Sequence, residues 1–378
     1  MIRSVAHFID TTAFSGAERA LLHLLQGLDR RMWRPVLFHH DAPGLRPLIE
    51  GAAAAGVERR IVVSMRGLSG ALSVPAFARA LGQERPDVFH AHLNWPLACT
   101  GGILAAAFAR VPAIVATVQL FSDLPHGFTM PLQRRVVTRA VGRYVAVSRG
   151  VFRNIEQTLQ VPPSRIREVP NSVAVGTLQP APRPDPAMRL QMAGRTDVPI
   201  ALTLARLDQQ KGLTYLIRAA ARTPNVAFVI AGDGPERDSL EREARALGVS
   251  DRVRFIGFRH DVAALLANSD LFVLPSLIEG LPLSVLEAMA ACRPVVATAV
   301  PGTDEVVRHR ATGLLVPPSD PDGLAGAIQE ILRDEALAGR IARAGYDLVK
   351  RDFTTDGMAR SIMSVYDELL DERSLRRS

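Results

Sequence analysis

Short β-branched runs alternate with amphipathic helical stretches along this whole sequence, and the alternation breaks once before it resumes. Apolar runs at Val5–Ile9, Val36–His39, Ile61–Val63, Val88–His90, Ile114–Val118 and Tyr144–Val147 precede the break. Runs at Ile200–Leu204, Ala227–Ala231, Val253–Ile256, Leu271–Leu274 and Val295–Ala297 follow it. Between them, stretches such as Glu18–Leu28 put Leu21, Leu24, Leu25 and Leu28 on one helical face at i, i+3, i+4 and i+7 spacing. Continuous apolar strands joined by helices suit parallel sheets covered on both faces. The expected fold is therefore α/β, with two doubly wound, Rossmann-like parallel-sheet domains facing across a cleft. The break at residues 176–199 holds Pro180, Pro182, Pro184 and Pro186. Proline offers no amide to a helix or a sheet, so this stretch reads as a linker that forms neither. The expected division is 1–175, a linker at 176–199, 200–355, and a terminal segment 356–378 whose helix, Met358–Leu370, packs back on the first domain.

Composition excludes several classes. The chain has 378 residues, 48% of them apolar, enough to bury two cores and too many for a disordered chain. No apolar run nears the ~20 residues of a membrane-spanning helix, and Met1–Asp10 reads as a strand entering a turn. Cys99 and Cys292 are far apart and belong to no Cys/His cluster, which argues against a disulfide scaffold or structural zinc. A cytoplasmic protein is expected. Residues 1–180 hold 20 Arg and Lys against 11 Asp and Glu, whereas residues 181–378 hold 25 against 27. The basic first half could meet an anionic substrate or membrane, or it could reflect a general use of arginine at the surface. Nucleic acid is not expected, because aromatic residues make up 5% of the chain and none clusters beside the arginines.

In open parallel sheets the ligand lies at the carboxyl ends of the strands. The loop after Val5–Ile9 contains Ser15 and Gly16, a small turn opening a helix that could offer amides to an anion or simply cap the helix. No dinucleotide fingerprint or P-loop is present. The loop after Ile200–Leu204 carries Arg206 and Lys211, one of only two lysines in the chain. Two cations there suit a diphosphate, with surface salt bridges as the alternative. Gly232, Asp233, Gly234 and Pro235 read as a tight turn before a helix. After Leu271–Leu274, Glu279 falls in a turn and Glu287 in the helix that starts near Pro282. Carboxylates there would accept from sugar hydroxyls while the backbone amides of Gly280, Leu281 and Leu283 hold oxygens; capping and solvation are the alternative.

Arg206 with Lys211, the Gly232–Pro235 turn, the Glu-x7-Glu spacing of Glu279 and Glu287, Arg293-Pro-Val-Val-Ala-Thr and Thr312-Gly-Leu-Leu-Val closely resemble the retaining glycosyltransferases of family 4, which have the GT-B fold. The resemblance spans almost the whole chain and is strongest from 200 to 320. It implies an N-terminal acceptor-binding domain and a C-terminal nucleotide-sugar-binding domain. It further implies that Arg206 and Lys211 hold the donor diphosphate, that Glu287 accepts from the ribose, and that Glu279 with Gly280, Leu281, Pro282 and Leu283 holds the sugar. Gly16 would lie against the phosphates, although Ser15-Gly16 departs from the family's usual double glycine. His92 matches the strand-end histidine near sugar and acceptor, and His90 is expected to pack in its strand. The nucleobase is expected near Gly257, Arg259 and His260, with UDP favoured and GDP next.

With two cations aimed at the leaving group, no divalent metal or other cofactor is expected. The expected partners are a nucleotide-sugar donor and a glycan or lipid-linked acceptor of cell-surface polysaccharide or glycolipid assembly. The basic stretch 131–143 could place the protein peripherally on an anionic membrane. There Leu132, Val136, Val137, Ala140 and Val141 share a side near Arg134, Arg135, Arg139 and Arg143, a pattern that an ordinary core-facing helix also explains. An epimerase or hydrolase on the same frame, or a non-catalytic sugar-nucleotide-binding protein, are the rival readings.

Overall fold

A computed structural model describes residues 2–62, 72–120, 130–178 and 184–375. It divides into two units, Met1–Ser172 with Thr355–Ser378, and Val173–Thr354. The first holds a parallel sheet of seven strands, β1 (Arg3–Ile9), β2 (Trp33–His39), β3 (Glu58–Ile61), β4 (Val88–Leu93), β5 (Ala113–Val118), β6 (Arg143–Ala146) and β7 (Ile166–Glu168). Their order is β3-β2-β1-β4-β5-β6-β7. The second holds six, β8 (Ile200–Leu204), β9 (Ala227–Ala231), β10 (Val253–Phe255), β11 (Leu271–Leu274), β12 (Val295–Thr298) and β13 (Leu314–Val316), in the order β10-β9-β8-β11-β12-β13. The order reverses between β1 and β4 in the first sheet and between β8 and β11 in the second, and such reversal points are where open α/β sheets leave a crevice for ligand.

Central strands are buried on both faces, as their unbroken apolar runs require: β9, β11 and β12 are buried throughout. Edge strands escape that rule and were harder to read. The strand expected at Ile61–Val63 is instead Glu58–Ile61, an exposed edge whose Glu58 pairs with Arg34 of β2 at 2.8 Å; Val63 lies outside the described residues. The three-residue edges β7 and β13 gave no periodic signal of their own.

The terminal helix, Thr355–Leu375, belongs to the first unit. Its Met358, Ile362, Tyr366 and Leu369 are buried against Val5 of β1, Val88 of β4, Val115 of β5 and Trp33 of β2. Tyr366 meets Trp33 edge to face with ring centroids 5.0 Å apart. Ion pairs rim this contact: Arg3 with Asp367 at 2.5 Å, Arg167 with Glu368 at 3.0 Å, and Arg143 with Glu372.

Residues 176–199 do not form the helix-free linker expected of them. Asp185 accepts from the Ala187 amide at 2.9 Å and caps a helix, Pro186–Ala193, that ends at Gly194. A proline preceded by a capping aspartate starts a helix, since the first-turn amide it lacks has no helical partner in any case. Pro180 and Pro182 lie outside the described residues.

Candidate functional site

In the second unit, the loops after β8 and β11 are sewn together at the reversal point. Gly212, at φ +59, follows the short turn Gln209–Lys211. A Cβ there would sit 2.2 Å from the Pro275 carbonyl oxygen, so only glycine allows the two loops to close this tightly. The Leu277 amide then donates to the Gln210 carbonyl at 2.7 Å. The result brings Lys211 to Glu279, with Nζ and Oε1 2.6 Å apart. Ser276 Oγ donates to the same oxygen at 2.7 Å, and Thr298 Oγ1 in turn donates to the Ser276 carbonyl. Glu279 is 5% exposed, so this is a shielded pair with a neutral hydrogen-bond donor added.

Arg206 stands in the same loop with a side chain 61% exposed, its Nη2 2.5 Å from Asp208 Oδ2. That contact is a charge pairing without hydrogen-bond alignment, and both Asp208 oxygens are buried with no aligned donor. The Arg206 loop is braced by the next one. Gly232 would place a Cβ 1.8 Å from the Ala205 carbonyl oxygen, and Leu207 N donates to the Asp233 carbonyl at 2.9 Å. The turn Gly232–Pro235, read as structural, thus packs directly beneath one of the two cations.

Pro282 is the N-cap of the helix Leu283–Ala290. The backbone amides of Gly280, Leu281 and Leu283 donate to no acceptor among the described residues, although all three residues are buried. Buried amides at a helix start, beside a lysine and an arginine, form a surface able to hold phosphate or hydroxyl oxygens. Glu287 is buried in the same helix. The loop after β8 thus carries Arg206 and Lys211, and the segment after β11 carries Glu279, Gly280, Leu281, Pro282, Leu283 and Glu287, with Lys211 and Glu279 in direct contact at the β8/β11 reversal point.

Gly257, Arg259 and His260 follow β10, which is two strands from β8 in the sheet. The Gly257 carbonyl accepts from Gly232 N at 2.8 Å, which ties this loop to the Gly232–Pro235 turn. Arg259 is engaged by both oxygens of Asp261 at 2.7 and 2.5 Å, which holds the Asp261 carboxyl below its ordinary range. His260 is exposed, its ring 4.9 Å from that of the exposed Phe258.

In the first unit, Gly16 opens the helix Gly16–Gly27 just after β1. Ser15 is the N-cap of this helix, as the capping alternative expects, in a capping box with Glu18: its hydroxyl and amide both donate to Glu18 Oε2, at 2.6 and 2.7 Å. Glu18 is wholly buried and also receives Asn94 Nδ2 at 3.4 Å. Gly16 has no positive φ, and nothing lies within 4 Å of where its Cβ would be.

His92 stands at the β1/β4 reversal point, one residue before the carboxyl end of β4. It lies within β4, 2% exposed, with Nε2 3.1 Å from Nδ1 of His7 on β1. Burial brings the His92 imidazole down to about 3 and holds His7 and His90 well below the usual histidine range, so all three are neutral near pH 7. His90 packs in the strand as expected, its ring nitrogens against Tyr366 Oη at 2.6 Å and Thr117 Oγ1 at 2.7 Å. Among the described residues, His7, His90 and His92 form a group whose nitrogens, within 4.8 Å of one another, could hold a metal ion; hydrogen bonds already engage each ring.

The basic stretch divides in a way the sequence hid. The helix Met130–Ala140 buries Val137, while Leu132 and Val136 are 69% and 41% exposed beside exposed Arg135 and Arg139. Arg143 does not belong to that face. It lies in β6, buried and paired with Glu372.

Known proteins agree with this frame. Residues 188–348 match the family model for glycosyl transferases group 1, and residues 14–176 match that for glycosyltransferase family 4. The lipopolysaccharide core biosynthesis glycosyltransferase LpsE of Rhizobium meliloti is 37% identical over 182 residues, 48% of this chain and 52% of LpsE, so the match spans about half the length of that relative. A glycogen synthase of Mycobacterium tuberculosis is 32% identical over 75% of this chain and 69% of its own. The crystal structure of Anabaena HepE in complex with UDP and glucose superposes with a TM-score of 0.82 at 22% identity, covering 97% of this chain and all of that one (100%). Two parallel-sheet units with loops of this kind at their reversal points define a glycosyltransferase of the GT-B fold. The chain belongs to glycosyltransferase family 4.

Asp208, Ser276 and His7 were not singled out from sequence. Asp208 lies two residues from Arg206, and an alternating pattern links His7 to His90 and His92 once β1 and β4 are paired; those are the signals that could have found them.

Proposed function

We propose that the protein transfers a sugar, with retention of anomeric configuration, from a UDP-sugar to a glycan or lipid-linked acceptor in cell-surface polysaccharide or glycolipid assembly. GDP-sugar is the second candidate donor. The observation that carries this reading is a loop after β8 bearing Arg206 and Lys211, joined through the Lys211–Glu279 contact to a segment after β11 whose buried amides are unsatisfied among the described residues. The bond that breaks joins the anomeric carbon to a diphosphate oxygen, and negative charge grows on that oxygen as it leaves. Arg206 and Lys211 supply fixed positive charge at that point, and the amides of Gly280, Leu281 and Leu283 supply oriented dipoles. A divalent cation is then not needed to neutralise the leaving group.

Glu279 holds Lys211 in place and offers its second oxygen to a sugar hydroxyl; Glu287 accepts from the ribose. Gly16 admits the phosphates close to the first unit's backbone, and His92 serves the sugar and acceptor side. The incoming acceptor hydroxyl attacks from the face that the diphosphate leaves, and its proton departs with the diphosphate oxygen. The UDP and glucose bound by HepE favour the donor class, and the lipopolysaccharide core named for LpsE favours the acceptor class.

No helix among the described residues is long and apolar enough to cross a membrane. We propose a cytoplasmic protein that rests peripherally on anionic lipid through Leu132, Val136, Arg135 and Arg139, since neither arginine has an acidic partner among the described residues. The test is transfer of radiolabelled sugar from UDP-glucose or UDP-galactose to membrane-extracted glycolipid in the presence of EDTA. Acceptor-dependent transfer that Arg206→Ala abolishes supports the reading. Full donor turnover without acceptor would instead mark a hydrolase or epimerase.

A further inference from the structure

The pair His7–His92 places two neutral imidazoles nitrogen to nitrogen, so one proton lies between them and its owner decides what each ring's other nitrogen carries. Two arrangements are possible. If His92 Nε2 donates to His7 Nδ1, then His7 carries its remaining proton on Nε2. That atom is buried and has no hydrogen-bond partner, so the fold would hold an orphaned N–H in its interior. If His7 Nδ1 donates to His92 Nε2, the orphan on His7 is a bare lone pair and His92 carries its proton on Nδ1, an atom that, unlike His7 Nε2, is not among the buried unpartnered atoms and can give its hydrogen bond to solvent or ligand. Orphaned buried N–H groups are the rarer and costlier defect.

From this geometry we infer that His7 is a positioning residue that fixes the tautomer of His92, so that His92 presents an Nδ1–H donor, and no basic nitrogen, at the carboxyl end of β4. The other ring of the group cannot disturb that assignment, because His90 is held by the hydroxyls of Tyr366 and Thr117, each able to donate or accept. Among the described residues, Nδ1 of His92 has no partner, and it stands at the β1/β4 reversal point, where open sheets receive ligands. The ligand group that such a donor recognises is an oxygen lone pair, from a sugar hydroxyl, a ring oxygen or a phosphate. A general-base role for His92 is excluded by the same proton placement. The tautomer stands by itself; its consequence for turnover rests on the role given to His92 under the proposed function.

The experiment is long-range 15N NMR of the full chain labelled with 15N-histidine, on the wild type, His7→Phe and His7→Asn, with transfer kinetics on each and on His92→Ala. Asparagine puts an amide N–H where His7 Nδ1–H stood; phenylalanine removes it. The expected result is a His92 with protonated Nδ1 and unprotonated Nε2 near pH 7. In His7→Phe that pattern mixes and kcat falls by roughly 10- to 100-fold, taken by analogy with the loss of partners that orient metal-ligating histidines. His7→Asn restores both. A proton on His92 Nε2 in the wild type overturns the inference, as does a His7→Phe protein with unchanged tautomer and unchanged kcat. The wild-type spectrum decides the question even if His7→Phe does not fold. Full activity in His92→Ala with the expected spectrum would overturn the role proposed for His92 and leave the tautomer intact.

Discussion

Replacing Lys211 by methionine separates the structural from the chemical work of its charge. Lys211 Nζ and Glu279 Oε1 are 2.6 Å apart, with side chains 23% and 7% exposed. At an effective dielectric of about 20, unit charges at that distance attract by roughly 6 kcal/mol, and desolvation takes back much of it. Removing only the cation leaves Glu279 charged and shielded, held by the single Ser276 hydroxyl. The expected loss is about 3 kcal/mol, the lower end for breaking a buried pair because Lys211 is partly solvated. For a unit of this size that corresponds to a fall in Tm of about 6–12 °C by calorimetry. Lys211→Met with Glu279→Gln removes the stranded carboxylate, so the double variant should melt close to Glu279→Gln alone. Transfer tells the opposite story: both Lys211 variants lose about 100-fold or more in kcat, because restored stability does not restore charge at the leaving oxygen. A wild-type Tm in Lys211→Met, or a double variant as unstable as that single one, would refute the buried-pair argument.

Three further outcomes follow from the geometry. Gly16→Ala should leave thermal stability unchanged or slightly raised, since no atom lies within 4 Å of the new methyl group and alanine favours the helix, yet weaken donor binding in a UDP titration. His7, His90 and His92 are all held below the ordinary histidine range, so the unfolded chain takes up protons that the folded one refuses. Their contribution is complete above about pH 6.5 and is lost as pH falls toward 3, by up to about 1.4 kcal/mol per pH unit for each; urea melts at pH 7.5 and 5.5 should show that decline. Leu132→Ser with Val136→Ser should cut sedimentation with vesicles of anionic lipid while leaving soluble transfer intact, and equal sedimentation of variant and wild type would remove the membrane reading.

The central strands were legible because a parallel strand covered on both faces must be apolar throughout, so β8, β9, β11 and β12 announce themselves. The Arg206 and Lys211 loop was legible because lysine is so scarce here that its position at a strand end stands out. Other features depend on partners distant in sequence. Nothing around Asp208 says that it faces Arg206, because an aspartate in a turn is common. His7 becomes noticeable only when the register pairs it with His90. Arg143 looked like one more cation of a basic helix because its partner, Glu372, comes 229 residues later. The stretch 176–199 misled for a local reason: prolines were read as breakers, although Pro186 after Asp185 is a starting signal.

Calorimetric titration of UDP into the full chain in EDTA tests most directly whether side-chain cations alone receive the diphosphate. Binding without metal, unchanged on adding magnesium and weakened about 100-fold or more when Arg206 and Lys211 are both neutralised, is the predicted result. Binding that requires magnesium, or that persists undiminished in the doubly neutralised chain, would contradict it.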